Sequence, residues 1–212
     1  LNRREAQPHD VIMTKDGMVW YSDFGAQYIG SLDPATGKVT DFEIPTLKPD
    51  APKGSLQIDA DADGNLWIAM MYQAGITKFD RKTNKATAYP IPQEWQTGST
   101  QESMVSPQYA HVDGKVWTNN QATHKLYRLD VKTGQFTEYK TGAARDPHTP
   151  LFDKNGILWF TSQNSNMVGR LDPKTGAMKE YELPPEALPH SVTLDASGTP
   201  WYLGNGNGTI GK

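Results

Sequence analysis

The sequence predicts an all-β protein, a β-propeller built from four-stranded antiparallel blades, with about five repeats visible in 212 residues. Three observations support this prediction. A tryptophan recurs at intervals typical of propeller blades, and each interval holds several short segments rich in β-branched and aromatic residues. In addition, no segment has the apolar spacing of an amphipathic helix. We expect a single domain spanning residues 1–212, and these repeats to be part of a six- or seven-bladed ring.

The repeat is defined by a tryptophan that follows a turn of the Asp-Gly, Asn-Gly or Ser-Gly type or a related glycine turn. The spacings between successive tryptophans are 47, 50, 42 and 42 residues. Internal periods of this size, with several strands per period, are typical of propellers. The five tryptophans in this register are Trp20, Trp67, Trp117, Trp159 and Trp201. We predict a structural role for them, with each large ring packing between neighbouring blades.

Each repeat supplies four strands in a fixed order, which the first repeat illustrates. The innermost strand follows a Pro-His pair ("DVIMT"), and the second strand carries the tryptophan ("GMVWYS"). The third strand ends in Leu-Asp ("IGSLDP"), and the fourth ends in Ile-Pro ("KVTDFEIP"). Apolar and polar residues alternate in the last two, as expected for strands with one buried face.

The repeats lie near residues 8–45, 53–92, 105–140, 147–184 and 189–212, and the last one is incomplete. An unclosed propeller exposes the edges of its strands, which are templates for pairing with another chain. We therefore expect the last blade to lack its outer strand unless residues 1–7 supply it. We also expect self-association through the unclosed edges.

The composition excludes several classes of function. There are 21 Lys and Arg against 24 Asp and Glu, without a block of like charge, so a nucleic-acid partner is not expected. Cysteine is absent, which excludes disulfides, thiolate metal sites and cysteine nucleophiles. No apolar run is long enough for a membrane span, and no signal peptide is visible in this chain. An extracytoplasmic location, periplasmic or secreted, is favoured over a cytoplasmic one.

Polar residues recur at one end of the predicted blades and form the candidate ligand site. In an up-and-down blade, the loop into the first strand and the loop from the second to the third strand emerge on the same face. A small-molecule or peptide-like ligand is expected there, because convergent polar groups around a channel form the usual ligand site of such folds. The candidate binding residues are His9, Asp23, Asn120, Arg145, Gln163, Asn164 and Asn205, and the candidate catalytic residues are His148 and His190. An imidazole with an ordinary pKa can act as a base at neutral pH.

The repeat, with its Pro-His entry, its tryptophan strand and its "GRLDPKTG" turn, resembles that of the streptogramin lyases, also called virginiamycin B lyases. The resemblance extends from Pro8 to Lys212, apart from an insert near residues 92–107. It implies a seven-bladed β-propeller. It also implies a magnesium-dependent lyase that opens a cyclic depsipeptide by elimination across an ester linkage, with a histidine as the base and two glutamates holding the metal.

This chain departs from the family pattern at the two glutamate positions. They fall on Leu188 and Gly204, neither of which can bind a metal, if His148 and His190 are the consecutive pair. They fall on Asp146 and Ser162 if His148 is the second histidine, and on Gln7 and Asp23 if His9 is. The last two assignments leave one carboxylate each, so Asp146 and Asp23 are the candidate ligands for Mg²⁺, which prefers oxygen donors.

Three functions remain open from the sequence. The first is a metal-assisted C–O lyase that acts on a cyclic ester or depsipeptide. The second is a non-catalytic propeller that binds a peptide or a carbohydrate-like ligand, for which an amide-rich rim is sufficient. The third is a metal-dependent hydrolase of the gluconolactonase kind, which would require several carboxylates in the channel.

Overall fold

The computed structural model describes residues 1–96, 105–107, 115–120 and 123–212. Contacts divide the chain into two compact units, Leu1–Pro107 and Gln108–Lys212. Within the described ranges, the regular structure consists of strands and a single 3₁₀ turn, Gln93–Trp95, which confirms the all-β prediction. None of the helical segments described is long and apolar enough to cross a membrane.

The first unit contains two four-stranded antiparallel sheets, each with its strands in chain order. They are the first two blades of the predicted propeller. The strands of the first sheet are β1 (Pro8–Met13), β2 (Val19–Asp23), β3 (Tyr28–Leu32) and β4 (Val39–Glu43). Those of the second sheet are β5 (Ile58–Ala60), β6 (Leu66–Ala69), β7 (Gly75–Asp80) and β8 (Lys85–Pro90).

The remaining strands form two further four-stranded sheets and one three-stranded sheet, with neighbours again consecutive in the chain. The third blade consists of β9 (Val105–Pro107), β10 (Val116–Asn120), β11 (Lys125–Asp130) and β12 (Gln135–Lys140). The fourth consists of β13 (Pro147–Phe152), β14 (Leu158–Ser162), β15 (Met167–Leu171) and β16 (Met178–Glu182). The fifth sheet holds three strands, β17 (Pro189–Leu194), β18 (Pro200–Gly204) and β19 (Thr209–Gly211).

The tryptophans lie on the second strand of each sheet, and Trp20 and Trp117 show the predicted packing against a neighbouring sheet. In the first unit, Trp20 contacts Phe79 of the neighbouring sheet within a cluster of buried apolar residues. In the second unit, Trp117 contacts Phe152 of the next sheet in the same manner. These two rings therefore join adjacent blades.

Three of the tryptophans also have a cation directly opposite on the third strand, with its charged group over the indole ring. The pairs are Trp67 with Lys78, Trp117 with Arg128 and Trp159 with Arg170. In the first blade the residue opposite Trp20 is Ser31, and Arg81 from the second blade lies over the ring instead. Each cation thus lies over one face of its indole ring.

The Ile-Gly or Val-Gly pair of the third strand has a steric explanation. The residue after the tryptophan lies flat on this glycine, and the pairs are Tyr21 on Gly30, Phe160 on Gly169 and Tyr202 on Gly211. A Cβ atom at Gly30 would come within 2.0 Å of the Tyr21 ring. Glycine is therefore required by a close approach of a side chain to the backbone.

The stability of the first unit is expected to fall at alkaline pH through Tyr21. The pKa of Tyr21 is raised, mainly by burial and secondly by the hydrogen bond that its hydroxyl donates to Asp41 at 2.7 Å. The folded state therefore holds this proton more tightly than the unfolded state, whose tyrosine pKa is about 10. Tyr21 therefore makes its full contribution to the free energy of unfolding below about pH 10. This contribution is lost as the pH rises from 10 towards the pKa of Tyr21 in the folded state. Urea unfolding across this range should show it.

The control for this prediction is Tyr21→Phe, which removes the titrating group. Burial also raises the pKa of Tyr89, so the variant should retain part of the alkaline loss. Equal alkaline slopes in the variant and the parent would contradict the prediction.

Candidate functional site

The start of the first strand and the end of the second strand lie side by side in each of the blades that has a Pro-His pair. The register pairs Pro8 with Asp23, Pro147 with Ser162, and Pro189 with Gly204. Each of the three first strands also has a break in its pairing register at or next to the histidine, between Pro8 and Val11, between His148 and Leu151, and between Pro189 and Ser191. Bulges, which break the register in this way, re-aim the side chains at that point of the strand.

Two histidines meet in the second unit. The imidazole of His148 at the start of β13 lies 4.8 Å from that of His190 at the start of β17, measured between ring centroids. The planes of the two rings are inclined by 58°. His148 is 9% exposed, whereas His190 is exposed to solvent. A buried imidazole and an accessible imidazole thus stand next to each other.

The Nδ1 atom of His148 is held by oxygen atoms. It lies 3.0 Å from the main-chain oxygen of His190 and 2.8 Å from Oγ1 of Thr149. A main-chain oxygen only accepts hydrogen bonds, so its contact favours the tautomer with the proton on Nδ1. In that tautomer the lone pair of a neutral ring lies on Nε2.

Asp146 is engaged in holding the loop that follows β14. One of its carboxylate oxygens accepts hydrogen bonds from Oγ of Ser162 at 2.5 Å and from both N and Oγ of Ser165 at 3.2 Å. The other oxygen accepts a bond from the main-chain N–H of Asn164 at 2.7 Å. The carboxylate thus fixes the loop beside His148.

Glu180 on β16 holds the segment that leads into β13. Its carboxylate accepts hydrogen bonds from three successive main-chain N–H groups, those of Gly142, Ala143 and Ala144, at 2.8, 2.6 and 3.2 Å. Backbone N–H groups arranged in this way form a small anion site, which this side chain fills.

Replacing Glu180 by Gln should lower the free energy of unfolding by about 1–2 kcal/mol. The substitution removes the negative charge that strengthens these hydrogen bonds, and it places the NH₂ group of glutamine against main-chain N–H donors. Urea denaturation measures this directly. The matched control is Glu182→Gln on the same strand, at an exposed position. If both variants lose the same stability, Glu180 does not hold the segment.

The amide and arginine residues predicted for the site have different surroundings. The predicted Asn120 is fully buried, as is its neighbour Asn119, which was not among the candidates. Asn119 donates to the main-chain oxygen of Pro147 at 2.8 Å, and Asn120 accepts from the N–H of Thr123 at 3.0 Å. The side chains exposed to solvent are those of Arg145, Asn164 and Asn205, and Gln163 is half-buried. The buried amides connect strands, whereas the exposed residues are accessible to a ligand.

The two predicted site residues of the first unit also have partners. His9 is exposed, its Nδ1 lies 2.8 Å from Oδ1 of Asp10, and its ring stacks on Phe24 at 5.4 Å between centroids. Asp23 is fully buried, forms an ion pair with Arg3, and accepts a hydrogen bond from the N–H of Gly25 at 2.9 Å. This carboxylate is neutralised within the protein.

The donor set therefore does not fit a magnesium ion. The oxygens of Asp146 accept bonds from the loop after β14, and Asp23 is paired with Arg3. In the described ranges, no three histidine or acidic side chains group together as metal ligands. The magnesium site stays a prediction from the family resemblance.

Several residues that shape this site were not among the sequence candidates. Thr149 and Thr161 bond to the His148–His190 pair, Glu180 holds the preceding segment, and Asn166 connects to Leu183, Pro184 and Leu188 by side-chain hydrogen bonds. Hydroxyl and amide residues are common in loops, so their types alone gave no signal. The "PHT" triplet was visible, but the bulge that turns Thr149 towards His148 was not.

An apolar cleft of about 520 Å³ lies in the second unit, between the fourth and fifth sheets. Aromatic rings from both sheets line it: Trp159, Tyr181, Trp201 and Tyr202. Neither histidine of the pair belongs to its lining. The cleft and the histidine pair are thus separate features of this unit.

Comparison with known proteins gives a family and a fold. A model of the virginiamycin B lyase family matches residues 49–212, well over half of the chain. No curated protein matches the chain. Virginiamycin B lyase from Staphylococcus aureus superposes with a TM-score of 0.84 at 22% identity, covering 100% of this chain and 71% of that one.

Two further solved structures are similar. A streptogramin B lyase has a TM-score of 0.82 at 23% identity, with coverage of 99% of this chain and 69% of that one. A catalytically inactive histidine-to-alanine variant of the S. aureus lyase, solved with quinupristin, has a TM-score of 0.82 at 22% identity, with coverage of 100% and 71%. At these identities the solved structures establish the β-propeller fold.

Proposed function

The chain belongs to the virginiamycin B lyase family, and we propose on this basis that it is a C–O lyase that opens a cyclic ester or depsipeptide, with His148 as the base. The observation that supports this most directly is the contact of His148 Nδ1 with the main-chain oxygen of His190 at 3.0 Å. This contact favours the tautomer in which Nε2 accepts a proton.

The proposed reaction is an elimination, which consumes no water molecule. Nε2 of His148 removes the proton from the carbon next to a carbonyl group of the ligand. The electrons of the C–H bond form a double bond to the next carbon, whose bond to the ester oxygen breaks. The ester leaves as a carboxylate, and the ring opens. Proton removal by a positioned imidazole contributes about 10²–10⁴-fold to such a step.

His190 has a different part in this proposal. Its ring is exposed and lies 4.8 Å from that of His148, so a ligand that reaches the base also meets this imidazole. The exposed Asn164 lies in the loop directly after β14. We assign ligand contact to these two residues, and Arg145, also exposed, could pair with an acidic group of the ligand.

Support from relatives comes from the variant of the S. aureus lyase, which is inactive after one histidine is replaced by alanine and was solved with quinupristin. Quinupristin is therefore the first compound to test. Incubation with this protein should convert it to a ring-opened product, detected by chromatography and mass spectrometry. Unchanged quinupristin after long incubation at high protein concentration would contradict the proposed activity towards this compound class.

A binding function without catalysis is the second candidate, and one observation favours it. The carboxylate of Asp146 is occupied by four hydrogen bonds from the protein, and Asn119 and Asn120 are buried in structural contacts. A propeller of this kind could retain a ligand at His190 without turnover. Saturable binding of quinupristin by calorimetry, with the compound recovered intact, would support this candidate over the lyase.

A further inference from the structure

The segment that connects β16 to β17 leads to His190 and has a disfavoured backbone conformation. Leu188, two residues before His190, has a φ angle of +45°, in the left-handed region, where a bulky residue is an outlier. The segment that leads to the second sheet also has a positive φ, but there it belongs to a glycine, Gly54, at +122°. A leucine keeps such a conformation only where its surroundings enforce it.

The side chain of Asn166, in the loop between β14 and β15, binds this segment at both of its ends. The Nδ2 group donates to the main-chain oxygens of Leu183 and Pro184, at 3.0 and 2.9 Å. The Oδ1 atom accepts a hydrogen bond from the N–H of Leu188 at 2.8 Å. A main-chain oxygen only accepts and an N–H group only donates, so these three partners fix the orientation of the amide. One side chain therefore constrains the path of the chain from Leu183 to Leu188.

Gln27 makes the corresponding contacts in the first unit. It lies directly before β3, as Asn166 lies directly before β15. Its Nε2 group donates to the main-chain oxygen of Pro45 at 3.0 Å, and its Oε1 atom accepts from the N–H of Gly54 at 2.7 Å. The segment that Gln27 holds leads to β5, which has no Pro-His pair at its start. Gln27 therefore provides a matched control for Asn166.

The main chain of His190 is held on both sides. Its own main-chain oxygen accepts a hydrogen bond from Oγ1 of Thr161 at 3.0 Å. On the other side the chain is held at the N–H of Leu188, and only Pro189, whose ring restricts φ, lies between Leu188 and His190. A shift of Leu188 would therefore move the ring of His190 relative to that of His148, whose centroid lies 4.8 Å away.

From these contacts we infer that Asn166 is a positioning residue, which places the imidazole of His190 beside that of His148. The placement of the ring depends only on the hydrogen bonds of Asn166 and on the contact between the two rings. The consequence for the ligand rests on the proposed function, in which His190 contacts the ligand.

Two variants remove the contact in different ways. Asn166→Gly removes the side chain and suits the left-handed backbone at this position, where φ is +56°. Asn166→Asp keeps the shape and the acceptor but places a carboxylate against the two main-chain oxygens, and it serves if the glycine variant does not fold. The controls are Gln27→Ala, which removes the corresponding contact, and His124→Gly, which introduces a glycine directly before β11, where φ is +57°.

The primary readout is the nuclear Overhauser effect between the ring protons of His148 and His190. We expect this effect in the parent protein, in Gln27→Ala and in His124→Gly, and its loss in the Asn166 variants. The inference would be overturned by a parent protein without the effect, by an unchanged effect in either folded Asn166 variant, or by an equal loss in either control.

The kinetics of quinupristin conversion give the second readout. Asn166→Gly should raise KM by about tenfold, the effect of losing one hydrogen bond to the ligand, and leave kcat nearly unchanged. A change confined to kcat would contradict the contact of His190 with the ligand. A parent protein without turnover would contradict the proposed function, whereas the Overhauser effect would still decide the role of Asn166.

Discussion

Replacing His148 by Ala is expected to lower the turnover of quinupristin by about 10²-fold or more, because it removes the group that accepts the proton. The effect should fall on kcat, since His190, Arg145 and Asn164 remain to contact the ligand. Stability should change by only about 1 kcal/mol, the value of the hydrogen bond between Nδ1 and its oxygen partners. Steady-state kinetics and urea unfolding of the same preparation measure both effects.

His9→Ala is the comparison for this variant. It removes the histidine of the first Pro-His pair, whose Nδ1 lies next to the carboxylate of Asp10. We expect a loss of turnover below about tenfold, because this ring takes no proton in the proposed step. An equal loss in both variants would show that the base is not His148 alone.

Replacing Asp146 by Ala should lower the free energy of unfolding by about 2–4 kcal/mol. The variant leaves the N–H groups of Asn164 and Ser165 and two serine hydroxyls without their charged acceptor. A hydrogen bond to a charged group contributes about 1.5–3 kcal/mol. The four bonds share one half-buried carboxylate, so the expected loss is smaller than their sum. Asp172→Ala, at an exposed hairpin, should have a smaller effect.

Magnesium distinguishes a structural Asp146 from a metal ligand. An ion that binds the folded state raises the melting temperature in a concentration-dependent manner. Because the Asp146 oxygens are occupied by protein donors, millimolar Mg²⁺ should leave the melting temperature of the parent protein unchanged. A rise in the parent that disappears in Asp146→Ala would identify this carboxylate as a ligand and contradict the structural role.

The fold could be predicted from the sequence because each blade repeats the same local rules. Trp20 and Trp117 recur since their rings join adjacent sheets, and Gly30 and Gly169 recur since an aromatic ring lies on each of them. The turn residues, the alternation of apolar and polar residues and the ring packing all indicate the same strands. The repeated sequence pattern is therefore sufficient to predict the fold.

The site was less predictable, because its contacts join distant parts of the chain. The sequence indicated His148 and His190, but not that the main-chain oxygen of one would orient the ring of the other. Asp146 and Asp23 had the residue type of metal ligands. In the folded protein Asp146 binds the loop after β14 and Asp23 binds Arg3, and these contacts depend on the folded geometry. Long-range hydrogen bonds of this kind leave no periodic signal.

The central claim, elimination with His148 as the base, is tested most directly by the mass of the product formed from quinupristin in water labelled with heavy oxygen. Elimination predicts a ring-opened product with the same mass as quinupristin and no heavy oxygen, formed by the parent protein and about 10²-fold more slowly by His148→Ala. A product that has gained one water containing the label would identify a hydrolase and contradict the account.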